Sequence, residues 1–321
     1  MRAIAYRKYG LPDVLELRQI EKPTPKDNEI LLKVHAVSLN ASDWEFLTAT
    51  PAYIRTIGFF KPKYSILGSD VAGLVETVGK GVEAFKPGDA VFGDTLMHGM
   101  GGFAEYVCVP EDALVSKPAS LSFEEASTLP QSGGVALQGL RDKGEIQPGY
   151  KVLINGAGGG SGTFSIQIAK VFGAEVTGVD GTEKLDVMRS VGADHVVDYT
   201  QEDFTKIGQR YDLILDLVAH RSIFDLKRAL SSGGIYVLVG GSVPRILQTV
   251  LLGPLISKMG SKKMGMLLHR QNTKDLKFIL ELIRSKKVVP VIDRTYALHD
   301  VPEALRYLGE GHAKGKVVIT L

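Results

Sequence analysis

The sequence predicts an α/β chain in which a central parallel sheet, covered by helices, lies between a β-rich beginning and a β-bearing end. Three observations predict it. The run Lys151-Val152-Leu153-Ile154-Asn155 feeds a glycine cluster, Gly156-Ala157-Gly158-Gly159-Gly160-Ser161-Gly162, and then helix-like sequence from Thr163 to Lys170. Further apolar runs recur at the intervals of a βαβ series: Ala174 to Val179, His195 to Val197, Tyr211 to Leu217 and Gly234 to Gly240. They lack clean alternation, as strands covered on both faces do. Residues 1–110, by contrast, are mostly short alternating strands and turns.

Composition bounds the function. At 321 residues the chain has room for two domains. Thirty-eight Lys plus Arg against 36 Asp plus Glu leave a net charge of +2, so nucleic acid and membrane are not expected partners. A single cysteine, Cys108 in an alternating strand, excludes an intramolecular disulfide and a CxxC redox pair. No leader-like segment and no apolar run of spanning length occur, so a soluble, cytoplasmic protein is expected.

In chain order, Met1 to Tyr6 reads as a strand. Glu29 to Val37 follows as another, with Leu32, Val34 and Ala36 on one face and His35 on the other. Asn40 to Leu47 reads as a short helix capped by Asn40 or Ser42. Glycines among β-rich residues 64–79 suit the bends of a small curled barrel. Ser122 and Glu125 have capping-box spacing, and 135–143 is helical. Leu247 to Ile256 is apolar and Lys258 to Lys263 basic; this stretch suits a substrate cover, a dimer contact or a plain helix with a loop. Thr273 to Ser285 is an amphipathic helix, Val288 to Val291 a strand, Val301 to Tyr307 a helix and Lys316 to Thr320 a final strand.

The glycine turn carries the chemistry. Glycines allow a tight turn and close approach to a pyrophosphate, and the following helix start attracts the anion. The crossover rule brings this turn, Asp180, Asp198 and the segment after Leu217 to one edge of the sheet. Asp180 ends the second strand of the series, 21 residues beyond Gly159, where a carboxylate accepts both ribose hydroxyls of NAD(H) and repels the extra phosphate of NADP(H).

Several segments together carry a resemblance: Leu67-Gly68-Ser69-Asp70-Val71-Ala72-Gly73, Val78-Gly79 to Gly81-Val82, Phe85-Lys86-Pro87-Gly88-Asp89, Gly101 to Tyr106, the glycine turn and Gly311 to Ile319. With them the chain resembles the medium-chain dehydrogenase/reductase superfamily, in its zinc-free quinone oxidoreductase and enone reductase branch. The resemblance implies a GroES-like catalytic domain from residues 1–125 and 270–321, a central Rossmann domain from 126–269, and an active site between them. Zinc-dependent members carry a cysteine in the region matching Asn40 to Asp43 and a His-Glu pair after the glycine matching Gly68. Here those segments read Asn-Ala-Ser-Asp and Ser69-Asp70, so no zinc is expected, and His35, Asp43, Asp70 and His98 carry little weight as another metal set.

The implied activity is zinc-independent hydride transfer from NAD(P)H to a quinone, enone or enal. Asn40 would order cofactor or substrate, and Tyr53 would be either a proton donor or a pocket wall. Lys184 and Tyr199 match positions that embrace a phosphorylated ribose in that branch, and so contest the NAD(H) reading of Asp180. Val218, Val239, Gly240, Gly241 and Lys316 complete the expected cofactor contacts beside Gly156 to Gly162. Val135 stands where the branch commonly has threonine, and Ala219 where it has glycine. The resemblance also implies a homodimer, expected through an edge strand at Gly234 to Val239 and the apolar segment after it. A zinc-free alcohol dehydrogenase and a dinucleotide-binding sensor without turnover stay as alternatives.

Overall fold

The computed structural model describes residues 1–321 apart from the side chain of Tyr53. In chain order the strands are β1 Arg2–Ala5, β2 Glu16–Gln19, β3 Glu29–Ser38, β4 Asp70–Val78, β5 Ala90–Asp94, β6 Tyr106–Pro110, β7 Leu114–Ser116, β8 Lys151–Asn155, β9 Glu175–Asp180, β10 His195–Asp198, β11 Tyr211–Asp216, β12 Leu230–Leu238, β13 Lys263–Met266, β14 Ile292–Ala297 and β15 Lys316–Thr320. The helices are α1 Ala41–Thr48, α2 Phe123–Ser127, α3 Pro130–Leu137, α4 Gly160–Val171, α5 Leu185–Ser190, α6 Ile223–Ala229, α7 Val243–Met259, α8 Thr273–Arg284 and α9 Val301–Gly309. Two compact units result: residues 1–131, 271–277 and 292–321 form the first, and residues 132–270 and 278–291 the second.

In the first unit β14, β15, β3, β4, β5 and β7 form one sheet, with β6 also paired to β3, and both ends of the chain contribute. β15 runs antiparallel to β3, pairing Val318 with Ser38 and Thr320 with Ala36. The core gathers Ile30, Leu32, Val34, Val37, Val71, Phe103, Leu305 and Val317. A register shift between Val34 and Ala36 breaks the alternation expected for β3, so Val37 rather than Ala36 follows Val34 into this core. His35 stacks on Phe123 at 4.5 Å, a plain strand position. β1 pairs with β2, whose largely exposed residues gave no strand signal, and bridges through Ala3 to Ala104.

The second unit is a six-stranded parallel sheet of order β10-β9-β8-β11-β12-β13. The order reverses between β8 and β11, the switch point at which open parallel sheets take ligands. Leu153, Ile154, Val176, Leu213, Leu215 and Val237 are buried, which explains the absence of alternation.

Three expectations change. β12 is interior and β13 is the edge, because Lys263–Met266 pairs with Ile235–Leu238; its lysine and glycine hid the strand. Residues 288–291 form no strand; instead the Gln167 carboxamide on α4 receives the Val289 N–H at 2.8 Å and donates to its carbonyl at 2.9 Å. The unit boundaries move accordingly. Residues 278–291 join the second unit, where Ile279 packs on Gly133, and 126–131 stay with the first. An amphipathic helix announces that it has an apolar face but not which core that face meets.

Candidate active site

The glycine turn is held by its own backbone. Gly156 has φ +82°, and its N–H and that of Ala157 both donate to the Val179 carbonyl, at 2.9 and 3.1 Å. Gly162 faces the turn so closely that a Cβ there would lie 2.3 Å from the Gly156 oxygen and 2.5 Å from Ala157 carbonyl atoms. α4 then starts at Gly160 with Gly159 as N-cap, no side-chain cap and no acidic residue in its first turn. The leading N–H groups of a helix have no intrahelical acceptor, so this end suits a pyrophosphate. The residues fit the phosphate end of a dinucleotide.

Around the turn, Asp180 accepts the Gly158 N–H on Oδ2 and the Gly181 N–H on Oδ1, each at 2.9 Å. Lys184 Nζ lies 3.5 Å from Oδ1, and both side chains are 10% exposed. Tyr199 is half exposed and donates its backbone N–H to the Asp180 carbonyl. Val218 sits against Gly156, whose added Cβ would meet Val218 Cγ2 at 2.9 Å. Val239 donates its N–H to the Asp216 carbonyl at 2.8 Å, and Ala219 pairs across to Gly240 and Gly241. Beneath them Asp216 receives Asn155 Nδ2 at 2.7 Å and Tyr236 Oη at 3.1 Å; burial pushes its carboxyl up to about 6, against those two hydrogen bonds. Ala219 and Val135, the two departures, are both buried.

A second polar constellation lies in the first unit. Asn40 precedes α1 and donates its backbone N–H to Asp43 Oδ2 at 2.9 Å, while Asp43 Oδ1 receives the Gly68 N–H at 2.9 Å. The Asn40 carboxamide is engaged elsewhere: Lys316 Nζ donates to its Oδ1 at 2.6 Å and to the Leu39 carbonyl at 2.8 Å. Asn40 Nδ2 points toward Ser69 Oγ at 3.4 Å. Lys316 is 2% exposed and lies 3.9 Å from Asp70 Oδ2. Asp70 also receives the Gln131 N–H and Ser38 Oγ. Burial is the first cause of every shift here: Asp43 rises to about 7, Asp70 and Asp94 rise, and Lys316 falls although the three carboxylates oppose its fall.

The expected residues thus fall into two groups. Gly156 to Gly162, Asp180, Lys184, Tyr199, Val218, Val239, Gly240 and Gly241 assemble in the second unit. Asn40 and Lys316 assemble in the first, where the Lys316 ammonium binds a carboxamide and a carbonyl. Tyr53 belongs to a short 3-10 turn, Ala52–Thr56, and its side chain lies outside the described residues. His98 is exposed. Among the described residues no group of three or more His, Cys, Asp or Glu could hold a metal ion. Sequence reasoning missed Asp94 and the Asn155–Asp216–Tyr236 triad; lone aspartates ending apolar strands were the available signal.

Comparison with known proteins extends the geometry. The family profile "Alcohol dehydrogenase GroES-like domain" matches residues 26–119, and "Zinc-binding dehydrogenase" matches 191–319. The 2-methylene-furan-3-one reductase of Solanum lycopersicum is 34% identical, over 99% of this chain and 79% of that protein. The chloroplast envelope quinone oxidoreductase homolog of Arabidopsis thaliana is 32% identical, over 99% and 98%. Among solved structures, the quinone oxidoreductase from Coxiella burnetii superposes with a TM-score of 0.90 at 29% identity, covering 100% of this chain and 99% of the other.

Proposed function

This chain belongs to the zinc-free quinone oxidoreductase and enone reductase branch of the medium-chain dehydrogenase/reductase superfamily, and from that premise we propose how its residues reduce a conjugated acceptor. It is an NAD(P)H-dependent oxidoreductase, and a quinone, enone or enal is its acceptor class. A dinucleotide held at Gly156 to Gly162 and Asp180 would supply the hydride that the acceptor's electrophilic carbon takes up. The remaining task is electrostatic, because negative charge develops on the conjugated oxygen.

The observation that carries the reading is the Lys316–Asn40 contact. An ammonium group only donates, so it fixes the carboxamide with Oδ1 toward Lys316 and leaves Nδ2 as a donor. That donor meets Ser69 Oγ at 3.4 Å and the Asp70 carboxylate, and the proposed role is that one of its N–H groups turns from them to a developing oxyanion or to a carbonyl of the cofactor. Lys316 needs no contact with either molecule to have this effect; it positions Asn40.

NADH is the proposed donor. Lys184 lies beside Asp180 and would neutralise that carboxylate rather than a ribose phosphate. The two N–H groups on Asp180 also leave it lone pairs for ribose hydroxyls. Dimerisation is proposed through β13, whose outer edge has no strand partner in the sheet. Among the described residues no helix is long and apolar enough to cross a membrane, and a cytoplasmic location is proposed.

Initial-rate assays of NADH and NADPH oxidation against quinones, 2-alkenals and cyclic enones test the reading, with NAD+ plus simple alcohols as the contrast. Turnover of at least one conjugated acceptor is expected, lowered in Asn40→Ala. Turnover of simple alcohols alone would establish the dehydrogenase alternative. Saturable cofactor binding with no turnover would favour the sensor.

A further inference from the structure

α7 has an inverted surface. Its buried residues are Thr249, Gly253 and Ile256, whereas Val243, Leu247, Val250, Leu251, Leu255 and Met259 are exposed. Their spacing of three and four residues places them on one stripe, which runs four turns. Leu251 is 66% exposed, Leu255 55% and Met259 87%. A helix on the surface of a globular unit normally turns such a stripe inward.

The surrounding charge is one-sided. Residues 226–274 contain eight Lys and Arg and no Asp or Glu. Lys258 lies on the stripe and Lys262 follows its end. Lys262 sits among like charges, since burial and then Arg210 and Lys227 hold its pKa below the ordinary lysine range. Arg210, Lys227, Lys258 and Lys262 make no ion pair among the described residues, whereas Lys263 is matched by Glu145 at 2.8 Å. The chain-wide charge of +2 conceals this local excess, because the compensating carboxylates lie elsewhere in the sequence.

We propose that the exposed face of α7, with Lys258 and Lys262 at its C-terminal end, docks on an anionic phospholipid bilayer surface. Leucine and methionine side chains enter the acyl boundary while the lysines meet lipid phosphates, as for helices that lie in the interfacial plane. At 17 residues and with Lys258 on its face, α7 is suited to lying on the bilayer. A second copy seated on the same stripe is the competing occupant, and the exposed Lys258 at its C-terminal end, without an ion-pair partner among the described residues, favours lipid phosphate.

Vesicle co-sedimentation of the full chain tests this. The protein should sediment with vesicles of equal phosphatidylglycerol and phosphatidylcholine and stay in solution with phosphatidylcholine alone. The double variant L251E/L255E should bind anionic vesicles at least about tenfold more weakly, and K258E/K262E should also lose affinity. Leu251, Leu255 and Lys258 are exposed, whereas Lys262 is partly buried with its ammonium on the Lys227 carbonyl; NADH affinity and circular dichroism should be unchanged in L251E/L255E and report that it folds. Three results would overturn the proposal: wild-type protein that ignores anionic vesicles, L251E/L255E that binds them as wild type does, or self-association lost in L251E/L255E with no vesicle binding by wild type.

Discussion

The glycine turn and the Asn40–Lys316 cluster are both polar constellations, but they are built in opposite ways. The turn is made by one stretch of chain whose backbone contacts Val179 and Asp180 on the neighbouring strand, and the absence of side chains defines it. The cluster joins Asn40 to Lys316, 276 positions apart, through buried side chains, and burial lowers the lysine's pKa against the pull of nearby carboxylates. A backbone site tolerates almost no added atoms, whereas a side-chain site tolerates little change of charge. Cofactor affinity should therefore depend on shape in one region, and turnover on electrostatics in the other.

Substitutions that separate the two effects follow from this contrast. Gly162→Ala should have the largest effect, weakening NADH binding by about a hundredfold, because its Cβ meets turn backbone that has no room to move; nicotinamide fluorescence titration reads this directly. An unchanged Kd would mean that the turn is plastic. Lys316→Met should cost about 3 kcal/mol of stability in urea, because it leaves Asp70 buried without its cation. It should also lower kcat while cofactor Kd stays near wild type; a parallel loss of cofactor affinity would make Lys316 a direct cofactor contact.

An effect of at most the same size, up to about 3 kcal/mol and dependent on pH, is expected from Asp216→Asn, whose amide satisfies both Asn155 and Tyr236. The folded carboxyl sits at about 6, above its ordinary value of 3.8, so folding takes up a proton between those values. The associated stability is full below about pH 4 and is lost as pH rises through about 6. Urea unfolding across this window should therefore show a flatter pH dependence in the variant. The smallest effect is expected from Asp180→Ser: an approximately tenfold rise in the ratio of NADPH to NADH kcat/KM, since it removes a carboxylate and releases Lys184. A fixed ratio would show that Asp180 does not select the cofactor.

The legible parts of the molecule were those with local causes. The βαβ series, the glycine turn and Asp180 at its strand end follow from apolar runs, glycines and spacing, and each stands where expected. The capping box of Ser122 and Glu125 is likewise local and present. The hidden parts were those in which a partner decides. Lys263–Met266 has weak strand sequence and becomes a strand because β12 offers an open edge. Residues 288–291 look like a strand and are instead held by Gln167.

By itself, the sequence determined the glycine cradle, because it depends on residue types within a few positions of one another, and the resemblance implied that the zinc-ligand pattern at Asn40 to Asp43 and Ser69-Asp70 is missing. Only the tertiary structure decided that Lys316 orients Asn40, that β13 is the edge, and that the apolar stripe of α7 faces outward. Burial and pairing depend on neighbours brought together by the fold, and no periodicity along the chain encodes which neighbours those will be.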